Sequence, residues 1–311
     1  MWIKKHKEEF EVSKKPYESV LLTFKGVDGW DVYNCSVPFL WKGKRHIYGR
    51  VERREEWANS HVRLFMETGK DEFTVLPECL LELEDPYIQK IKGAFIFGGT
   101  HTRKTQNDIF SYYGHFFRGF PEDLHYFTSG PNYMKDIRLV DLNDGRIGVF
   151  SRRRDEEAIY VGFTTIDSID HLSTEVIAAA TPLNLFEDGT WGGVNQAYLL
   201  SSGKVGCIAH YSFSDKSPTC EAWSVYTNFS FVFDVETRQV INPKIIGTKS
   251  SYPTAPAKIP LLEDCVFSSG IVKRADGKYD LYSGVADTCQ GRITIDFPFE
   301  GYGEIVGDLN F

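Results

Sequence analysis

The chain of 311 residues lacks an excess of positive charge, a long apolar run and a paired cysteine motif. Its 35 Lys and Arg residues stand against 43 Asp and Glu residues, and a net charge of −8 provides no field to attract nucleic acid or an anionic membrane. No window approaches the ~18 apolar residues of a spanning helix. Met1–Phe10 has no apolar run behind its charges, so it does not predict a secretory signal. We therefore expect a cytoplasmic protein with no nucleic-acid and no membrane partner.

Metal and cofactor motifs are missing as well. The six cysteines are widely separated and contain no C-x-x-C pair, so zinc and thioredoxin-like functions have little support. We expect reduced cysteines that are mostly packed inside the protein. No His, Asp and Glu spacing indicates a metal site, and neither G-x-S-x-G nor a phosphate-binding glycine loop is present. The sequence predicts no metal and no organic cofactor.

Aromatic residues and glycine are abundant, with 23 Phe, 16 Tyr, 6 Trp and 27 Gly against 3 Met. This composition favours strands and tight turns. Five segments repeat one plan: a polar cluster, an alternating run, a glycine turn and a second apolar run. The turn glycines, spaced 50, 52, 58 and 74 residues apart, are Gly43, Gly93, Gly145, Gly203 and Gly277. Each unit is a hairpin plus about one more strand pair, which predicts an all-β, five-bladed β-propeller with one domain over residues 1–311 and the chain ends in a shared blade.

The repeats place polar residues at equivalent positions, eight or nine residues before each turn glycine. These are Asn34, Asp85, Asp136, Asn195 and Ser269. Equivalent positions on successive blades are related by rotation, so we expect these side chains around one mouth of the central channel. The second strand of each hairpin returns to that mouth and adds Arg50, Glu52, His101, Arg152, His210 and Asp287. Carboxylates, amides and aromatic rings in one depression are typical of a sugar-binding pocket.

Each candidate also has a purely structural explanation. Asp85 precedes Pro86 and could cap a turn, and the two asparagines could satisfy backbone groups at strand ends. Lys135 and Asp136 could pair as a solvated couple of little energetic value. His210 could equally be a strand histidine with satisfied nitrogens or a catalytic group.

Three of these segments resemble the signatures of five-bladed propeller glycosidases. They are Glu84-Asp85-Pro86 ahead of Gly93, Met134-Lys135-Asp136 ahead of Asp144-Gly145, and Phe267-Ser-Ser-Gly270 ahead of DGKYDLYSGVAD. Their order is similar to that of the β-mannoside phosphorylase and hydrolase family, and more specifically to an uncharacterised bacterial propeller family, DUF1861. Tyr87 stands where the relatives' pattern has Arg, and Ile137–Val140 replaces their Phe-Pro run.

The resemblance implies that Asp85 is the acid that protonates the glycosidic oxygen, directly or through a sugar hydroxyl. It places Asn34, Arg50, Asp136 and Asp287 around the sugar and Lys135 beside phosphate. The further candidate substrate-binding residues are Glu52, Glu84, Arg152, Asn195 and His210.

Two functions of different classes remain open from the sequence. The first is an inverting hydrolase or phosphorylase of a β-mannoside-like oligosaccharide, with a base among Asp136, Asp287 and Glu52 or with inorganic phosphate as co-substrate. The second is a non-catalytic sugar-binding propeller, which the amides of the ring favour. A protein-interaction scaffold has less support because Trp-Asp repeat signatures are missing. In each of the first two cases the partner is a small carbohydrate; the oligomeric state stays open.

Overall fold

Strands dominate the computed structural model, which describes residues 1–13, 15–105, 108–154, 159–217 and 220–311. Its helical elements are few and short. They are α1 (Trp2–Ser13), α2 (Thr174–Ala178) and the 3-10 helices Ile169–His171, Lys249–Ser251 and Pro260–Leu262. Strands therefore predominate, as the composition predicted. In the part of the chain that the structure describes, no helix is long and apolar enough to cross a membrane.

Within the described ranges, the strands, numbered in chain order, form five sheets. Sheet 1 contains β2 (Thr23–Lys25), β3 (Asp31–Tyr33), β4 (Phe39–Trp41), β5 (Lys44–Glu52), β6 (His61–Gly69) and β7 (Glu72–Leu81). Sheet 2 contains β8 (Glu84–Ile91), β9 (Ala94–Lys104), β10 (Ile109–Phe120) and β11 (Asp123–Ser129). Sheet 3 contains β12 (Lys135–Asp141), β13 (Ile147–Arg154), β14 (Ile159–Ile166) and β15 (Thr181–Pro182). Sheet 4 contains β16 (Thr190–Leu199), β17 (Val205–Ser217), β18 (Cys220–Asp234) and β19 (Gln239–Gly247). Sheet 5 contains β20 (Val266–Lys273), β21 (Tyr279–Val285), β22 (Cys289–Ile295) and β1 (Glu18–Leu21).

The sheets follow one another as in a propeller, and the hydrophobic core lies between them. One cluster of buried side chains joins sheets 3 and 4, as in the packing of Phe150 and Phe163 against Phe233 at 5.7 and 4.7 Å between ring centroids. Other clusters join sheets 1 and 2, 2 and 3, 4 and 5, and 5 and 1. The predicted all-β propeller is therefore confirmed.

The prediction of five blades is wrong, because four of the described sheets are four-stranded blades and sheet 1 is a six-stranded sheet with a different pairing. In sheet 1 the inner strand is split into β3 and β4, which both pair with β5, and β2 adds a parallel pairing to β7. The split falls at Asn34–Pro38, where Asn34 has a φ of +46° and Pro38 has no N–H to donate. The backbone therefore leaves the ladder at this point.

Two further features of the repeat plan are confirmed. β1 pairs with β22 in antiparallel register, so both ends of the chain share sheet 5. The five turn glycines all have a positive φ, between 74° and 85°, a conformation that costs glycine little and other residues more. These glycines therefore set the hairpin connections of all five sheets.

Candidate functional site

Four of the five polar positions of the repeats lie at β-bulges of the inner strands, at the start of the strand for Asp85 and Asp136 and within it for Asn195 and Ser269. The pairing register of sheets 2, 3, 4 and 5 shifts at Asp85, Asp136, Asn195 and Ser269 respectively. Asp85 and Asp136 have φ values of +48° and +55°, a conformation that Asn and Asp tolerate better than most residues. A bulge redirects a side chain out of the alternation of its strand, and bulges are frequent beside active sites. These residues therefore form the bulges of the backbone, and the same bulges redirect their side chains.

Asp85, on sheet 2, contacts polar groups of sheets 1 and 3. Its Oδ1 accepts hydrogen bonds from Asn34 Nδ2 and Arg50 Nη1, each at 3.1 Å, and its Oδ2 lies 3.8 Å from Lys135 Nζ. The same Asn34 amide donates to Asp287 Oδ1 at 3.3 Å. Asp85 is 4% exposed, so it lies just below the surface of the site. One neutral amide thus bridges two of the predicted carboxyl groups.

Asn34 reaches this position because a glycine faces it. A Cβ at Gly284, on β21, would overlap the amide oxygen of Asn34. The glycine of the SGVAD segment therefore leaves room for a side chain of sheet 1 to contact Asp287 of sheet 5.

Arg50 is held on every side of its guanidinium. Nη1 lies 3.5 Å from Glu84 Oε2 in addition to its contact with Asp85, Nη2 lies 3.4 Å from Glu52 Oε2, and Nε donates to Ser60 Oγ at 2.7 Å. Burial alone would lower the pKa of Arg50, but Glu84, Asp85 and Glu52 outweigh it and raise that pKa well above its usual value. Arg50 is therefore a fixed cation beside Asp85.

Glu52 lies behind Arg50 and does not line the cavity of the site. It accepts hydrogen bonds from Tyr33 OH at 2.5 Å, from the Asn59 backbone N–H at 2.7 Å and from Lys258 Nζ. Burial opposes the charge on this carboxyl, but Arg50 and Lys258 outweigh burial and lower its pKa. Sequence reasoning assigned Glu52 to the substrate, whereas the geometry makes it a support for Arg50. Sequence reasoning missed Lys258, which lies in a proline-rich loop without a recognisable motif.

Asp136 forms a second buried centre with two arginines. Arg152 Nη1 donates to its Oδ2 at 2.9 Å, and Arg138 Nη2 lies 3.6 Å from its Oδ1. Burial raises the pKa of Asp136, but the cations, Arg152 first, outweigh burial and hold it well below its usual range. Asp136 is 3% exposed, so the alternative explanation, in which it pairs with Lys135 as a solvated couple, is wrong. Arg138 also lies 4.6 Å from the ring centroid of Tyr87, the residue that replaces Arg in the family pattern.

Asn195 and His210 form a neutral pair next to this centre. His210 Nδ1 and Asn195 Oδ1 are 2.9 Å apart, and both side chains are buried. Burial, with the nearby Arg152 adding to it, lowers the pKa of His210 to about 3, so the ring is neutral at pH 7. Within the described ranges, Asn195 Nδ2 and His210 Nε2 have no hydrogen-bond partner. Neither residue lines the main cavity described below.

The predicted ring does not converge completely. Ser269 donates to the carbonyl of Cys35 at 2.5 Å and accepts from Gln290 Nε2 at 3.0 Å, so it ties sheet 5 to sheet 1. His101 lies outside the cavity beside Asp85 and its Nδ1 contacts the Glu82 carbonyl at 3.1 Å. The pairing of Ser269 and the position of His101 leave a smaller site than the repeats suggested.

Three neighbours of Asp85, namely Arg50, Glu84 and Lys135, line an open cavity of about 770 Å³, the main cavity, whereas the buried Asp85 does not itself line it. Its cationic lining residues are Arg50, Arg54, Lys135, Arg152, Arg154 and Lys258. Its acidic side includes Glu84 and Asp287, and its aromatic walls include Tyr112, Tyr133, Trp191 and Tyr226. Burial raises the pKa of Asp287, with Asp85 adding to the rise and Arg50 opposing it. The main cavity can therefore receive an anion and a polyhydroxylated ligand side by side.

Among the described residues, no three His, Cys, Asp or Glu side chains lie close enough together to hold a metal ion. Cys35, Cys79, Cys207 and Cys265 are buried free thiols and Cys289 is a partly buried one, whereas the side chain of Cys220 lies outside the described residues. The predicted packed cysteines are therefore found at the five described positions.

Comparisons with known proteins identify close relatives. Residues 8–301 match the family described as "Protein of unknown function (DUF1861)". MPT-4, a mannose phosphorylase from Leishmania mexicana solved in complex with phosphate ion, is 61% identical over 100% of this chain and 98% of that chain, with a TM-score of 0.97. MPT-1, a GDP-Man-dependent mannosyltransferase from the same species, is 52% identical over 99% of each chain, with a TM-score of 0.95.

More distant structures share the fold alone. A structure from the GH130 family of mannoside phosphorylases is 16% identical over 90% of this chain and 87% of that chain, with a TM-score of 0.55. A comparison with curated proteins gives no match. The two close relatives come from Leishmania, so the bacterial origin implied by the resemblance is not supported. Because the family match spans residues 8–301, the chain belongs to the family described as "Protein of unknown function (DUF1861)".

Proposed function

We propose that the protein is a mannoside phosphorylase that transfers a mannosyl unit from a β-mannoside-like oligosaccharide to inorganic phosphate, with inversion. The observation that carries the proposal is the position of Asp85 in contact with Arg50 and Lys135, with Arg152 lining the same cavity. A carboxyl group that gives up a proton and cations that hold an anion are what this reaction needs. The mannose phosphorylase activity of a relative with 61% identity, solved with phosphate ion, supports the same assignment.

In the proposed reaction a phosphate oxygen attacks the anomeric carbon as the glycosidic C–O bond breaks. Asp85 supplies the proton that the leaving oxygen takes up, directly or through a sugar hydroxyl. The products are mannose 1-phosphate and an oligosaccharide shortened by one unit. Three cations of the main cavity, Lys135, Arg152 and Arg154, come from sheet 3, next to Asp85 on sheet 2. We assign the phosphate to Lys135 and Arg152, because Lys135 also lies 3.8 Å from Asp85 and Arg152 pairs with the buried Asp136.

Phosphate is a better candidate than water because the carboxylates that could activate water are engaged. Arg152 and Arg138 hold the pKa of Asp136 low, and Arg50 and Lys258 do the same for Glu52, so both are weak bases. Asp287, with its raised pKa, is the remaining candidate of the three. We assign Asp287 to a sugar hydroxyl, since it shares the Asn34 amide with Asp85.

Neutral groups complete the proposed sugar site. Among the described residues, Asn34 Oδ1, Asn195 Nδ2 and His210 Nε2 are buried and have no hydrogen-bond partner. Unpaired buried polar atoms are costly, and sugar hydroxyls can donate to or accept from each of them. Glu84, paired with Arg50, lies where a bound sugar would leave the main cavity.

A GDP-mannose-dependent mannosyltransferase is the second candidate. A relative with 52% identity has that activity, and the aromatic walls of the main cavity could stack a guanine base. The two candidates differ in the anion they need, which makes them separable in one assay. A protein that only binds sugar is the third outcome of the same assay.

The test is turnover of β-linked manno-oligosaccharides with and without inorganic phosphate, followed by ³¹P NMR for mannose 1-phosphate. We expect product only with phosphate, and a loss of about 10²–10⁴-fold in Asp85→Asn with sugar binding retained. Asn tolerates the positive φ at this position, so the variant keeps the backbone. Mannose release without phosphate would establish a hydrolase instead, and transfer of mannose from GDP-mannose to a hydroxyl of a manno-oligosaccharide, with release of GDP, would establish the transferase. Sugar binding without any turnover would leave the non-catalytic alternative.

A further inference from the structure

A second cavity opens beside the main cavity and shares part of its wall. This side cavity has a volume of about 400 Å³ and lies between the segment before β6, the end of β7 and the outer half of β9. Ala58, Glu84 and Thr102 line both cavities. Glu84, which lines both cavities, directly precedes Asp85 and contacts the same Arg50 Nη1.

The side cavity is polar but carries balanced charge. Glu82 and Glu84 face Arg103 and Lys104, and the remaining polar lining residues are Asn59, Ser60, His61, His101 and Thr102. A lining with both donors and acceptors and no excess of either charge suits a neutral ligand rich in hydroxyls better than an anion or a cation. An aromatic surface is also present, since Phe110 lines the side cavity and is 55% exposed.

His101, one of the two histidines that line the side cavity, is held in place. His101 contacts the Glu82 carbonyl through Nδ1 at 3.1 Å and stacks on His115 with 4.9 Å between ring centroids. Because this contact uses Nδ1, the other ring nitrogen, Nε2, can serve a ligand. Tyr133, which lines the main cavity, donates to the carbonyl of Phe110, and this hydrogen bond links the walls of the two cavities. The walls of both cavities therefore belong to one connected structure.

We propose that the side cavity binds further sugar units of the chain that leaves when the mannosyl unit is transferred. This inference rests on the proposed function, and it identifies the substrate as an oligosaccharide longer than a disaccharide. Phosphate enters from the side of Lys135 and Arg152, and the remaining chain extends past Glu84 along His101 and Phe110. Nucleophile and leaving group then approach the transferred sugar from different sides of the main cavity, as an inverting displacement requires.

The test is the affinity of β-linked manno-oligosaccharides of two to five units, measured by calorimetry in phosphate-free buffer. We expect the dissociation constant to fall by about tenfold between the disaccharide and longer chains, which corresponds to about 1.4 kcal/mol. Phe110→Ala and His101→Ala should bring that ratio close to one. The matched control is Tyr126→Ala, which removes a ring with the same 55% exposure from the neighbouring strand β11, outside both cavities. It should leave the ratio unchanged.

The outcomes separate this inference from the proposed reaction. Equal affinity at every length, or a length dependence that survives in both Phe110→Ala and His101→Ala, overturns the side-cavity proposal even if phosphorolysis is observed. Length-dependent binding that those variants remove, in a protein without phosphorolysis, supports the side cavity and counts against the phosphorylase. No binding at any length overturns the side-cavity proposal as well.

Discussion

Arg50 Nη1 lies 3.1 Å from Asp85 Oδ1, and both side chains are more than nine-tenths buried. The guanidinium cannot turn away from the carboxyl because Ser60, Glu52 and Glu84 hold its other nitrogens and edges. A buried pair of this kind is costly to break, since the partner that remains is an uncompensated charge. The proposed acid and its cation are therefore one structural unit, and the residues behind Arg50 support both.

The first prediction concerns Lys258, the residue that neutralises Glu52 behind Arg50. Lys258→Met removes a buried cation whose side chain is 4% exposed, and we expect a loss of about 3 kcal/mol in the free energy of unfolding. Urea denaturation measures this loss. Lys273→Met is the matched control, because its pair with Glu304 is exposed and worth at most about 1 kcal/mol. Equal effects of the two substitutions would contradict the supporting role of Lys258.

The bulge residues of the site could be predicted from the sequence, whereas Lys258 could not. Asp85 and Asp136 could be found because a bulge with positive φ favours Asn or Asp, and the turn glycines mark the distance to each one. Lys258 and Arg138 could not be found, because their contacts depend on long side chains that cross between sheets. No spacing in a single sequence encodes such a contact.

The fold was predictable to a similar depth. The repeat of hairpins indicated the propeller and the shared sheet of the chain ends, but the break in the inner strand of sheet 1 was not predicted, although Pro38 has no N–H for the ladder. The helix α1 was missed because Ile3 is its one buried residue, so its sequence has little apolar periodicity. Its position depends on packing against sheet 4, where Trp2 stacks on Tyr211.

The second prediction is a pH dependence of stability that comes from Asp136. Its pKa is lower in the folded protein than the value of about 3.9 in an unfolded chain, so its contribution is complete above that value and is lost as the pH falls toward the folded pKa. At pH 7, Asp136→Asn should lose about 3 kcal/mol, because Arg152 and Arg138 lose their carboxylate. The difference from the wild-type protein should narrow below about pH 4.

Urea denaturation at pH 7, 4 and 3 checks this prediction. Asp188→Asn is the control, because Asp188 is an exposed residue in the turn before β16 and its replacement should change stability by less than about 0.5 kcal/mol. A difference between Asp136→Asn and the wild-type protein that stays constant from pH 7 to pH 3 would refute the ion-pair explanation.

The third prediction concerns phosphate binding by the cations of sheet 3. A ligand that binds only the folded protein stabilises it by about 2.7 kcal/mol at one hundred times its dissociation constant. Inorganic phosphate should therefore raise the melting temperature of the wild-type protein, and Lys135→Met should remove most of this increase. Lys42→Met, which removes an exposed lysine paired with Glu122, should retain it. Sulfate at equal ionic strength controls for general salt effects; an increase that persists in Lys135→Met would place the anion elsewhere.

The fourth prediction uses two glycines of the same hairpin, β20 and β21. Gly284 faces Asn34, and a Cβ there would overlap the amide oxygen that lies beside Asp85 and Asp287. Gly284→Ala should therefore displace Asn34 and reduce kcat of the proposed reaction by about tenfold or more, since misplacing a catalytic group by a small distance is costly. Asn34→Ala should have a similar effect on kcat, because both substitutions remove the same bridging amide.

The control for Gly284→Ala is Gly277→Ala in the turn of the same hairpin. Gly277 has a φ of +82°, and the position that a methyl group would take there has no atom within 4 Å, so alanine strains the backbone without touching the site. We expect Gly277→Ala to cost about 1 kcal/mol of stability and to leave kcat unchanged. Thermal unfolding and steady-state kinetics of both variants separate the two effects. If Gly284→Ala lost stability but kept full kcat, the Asn34 bridge would be a structural contact rather than a support for Asp85.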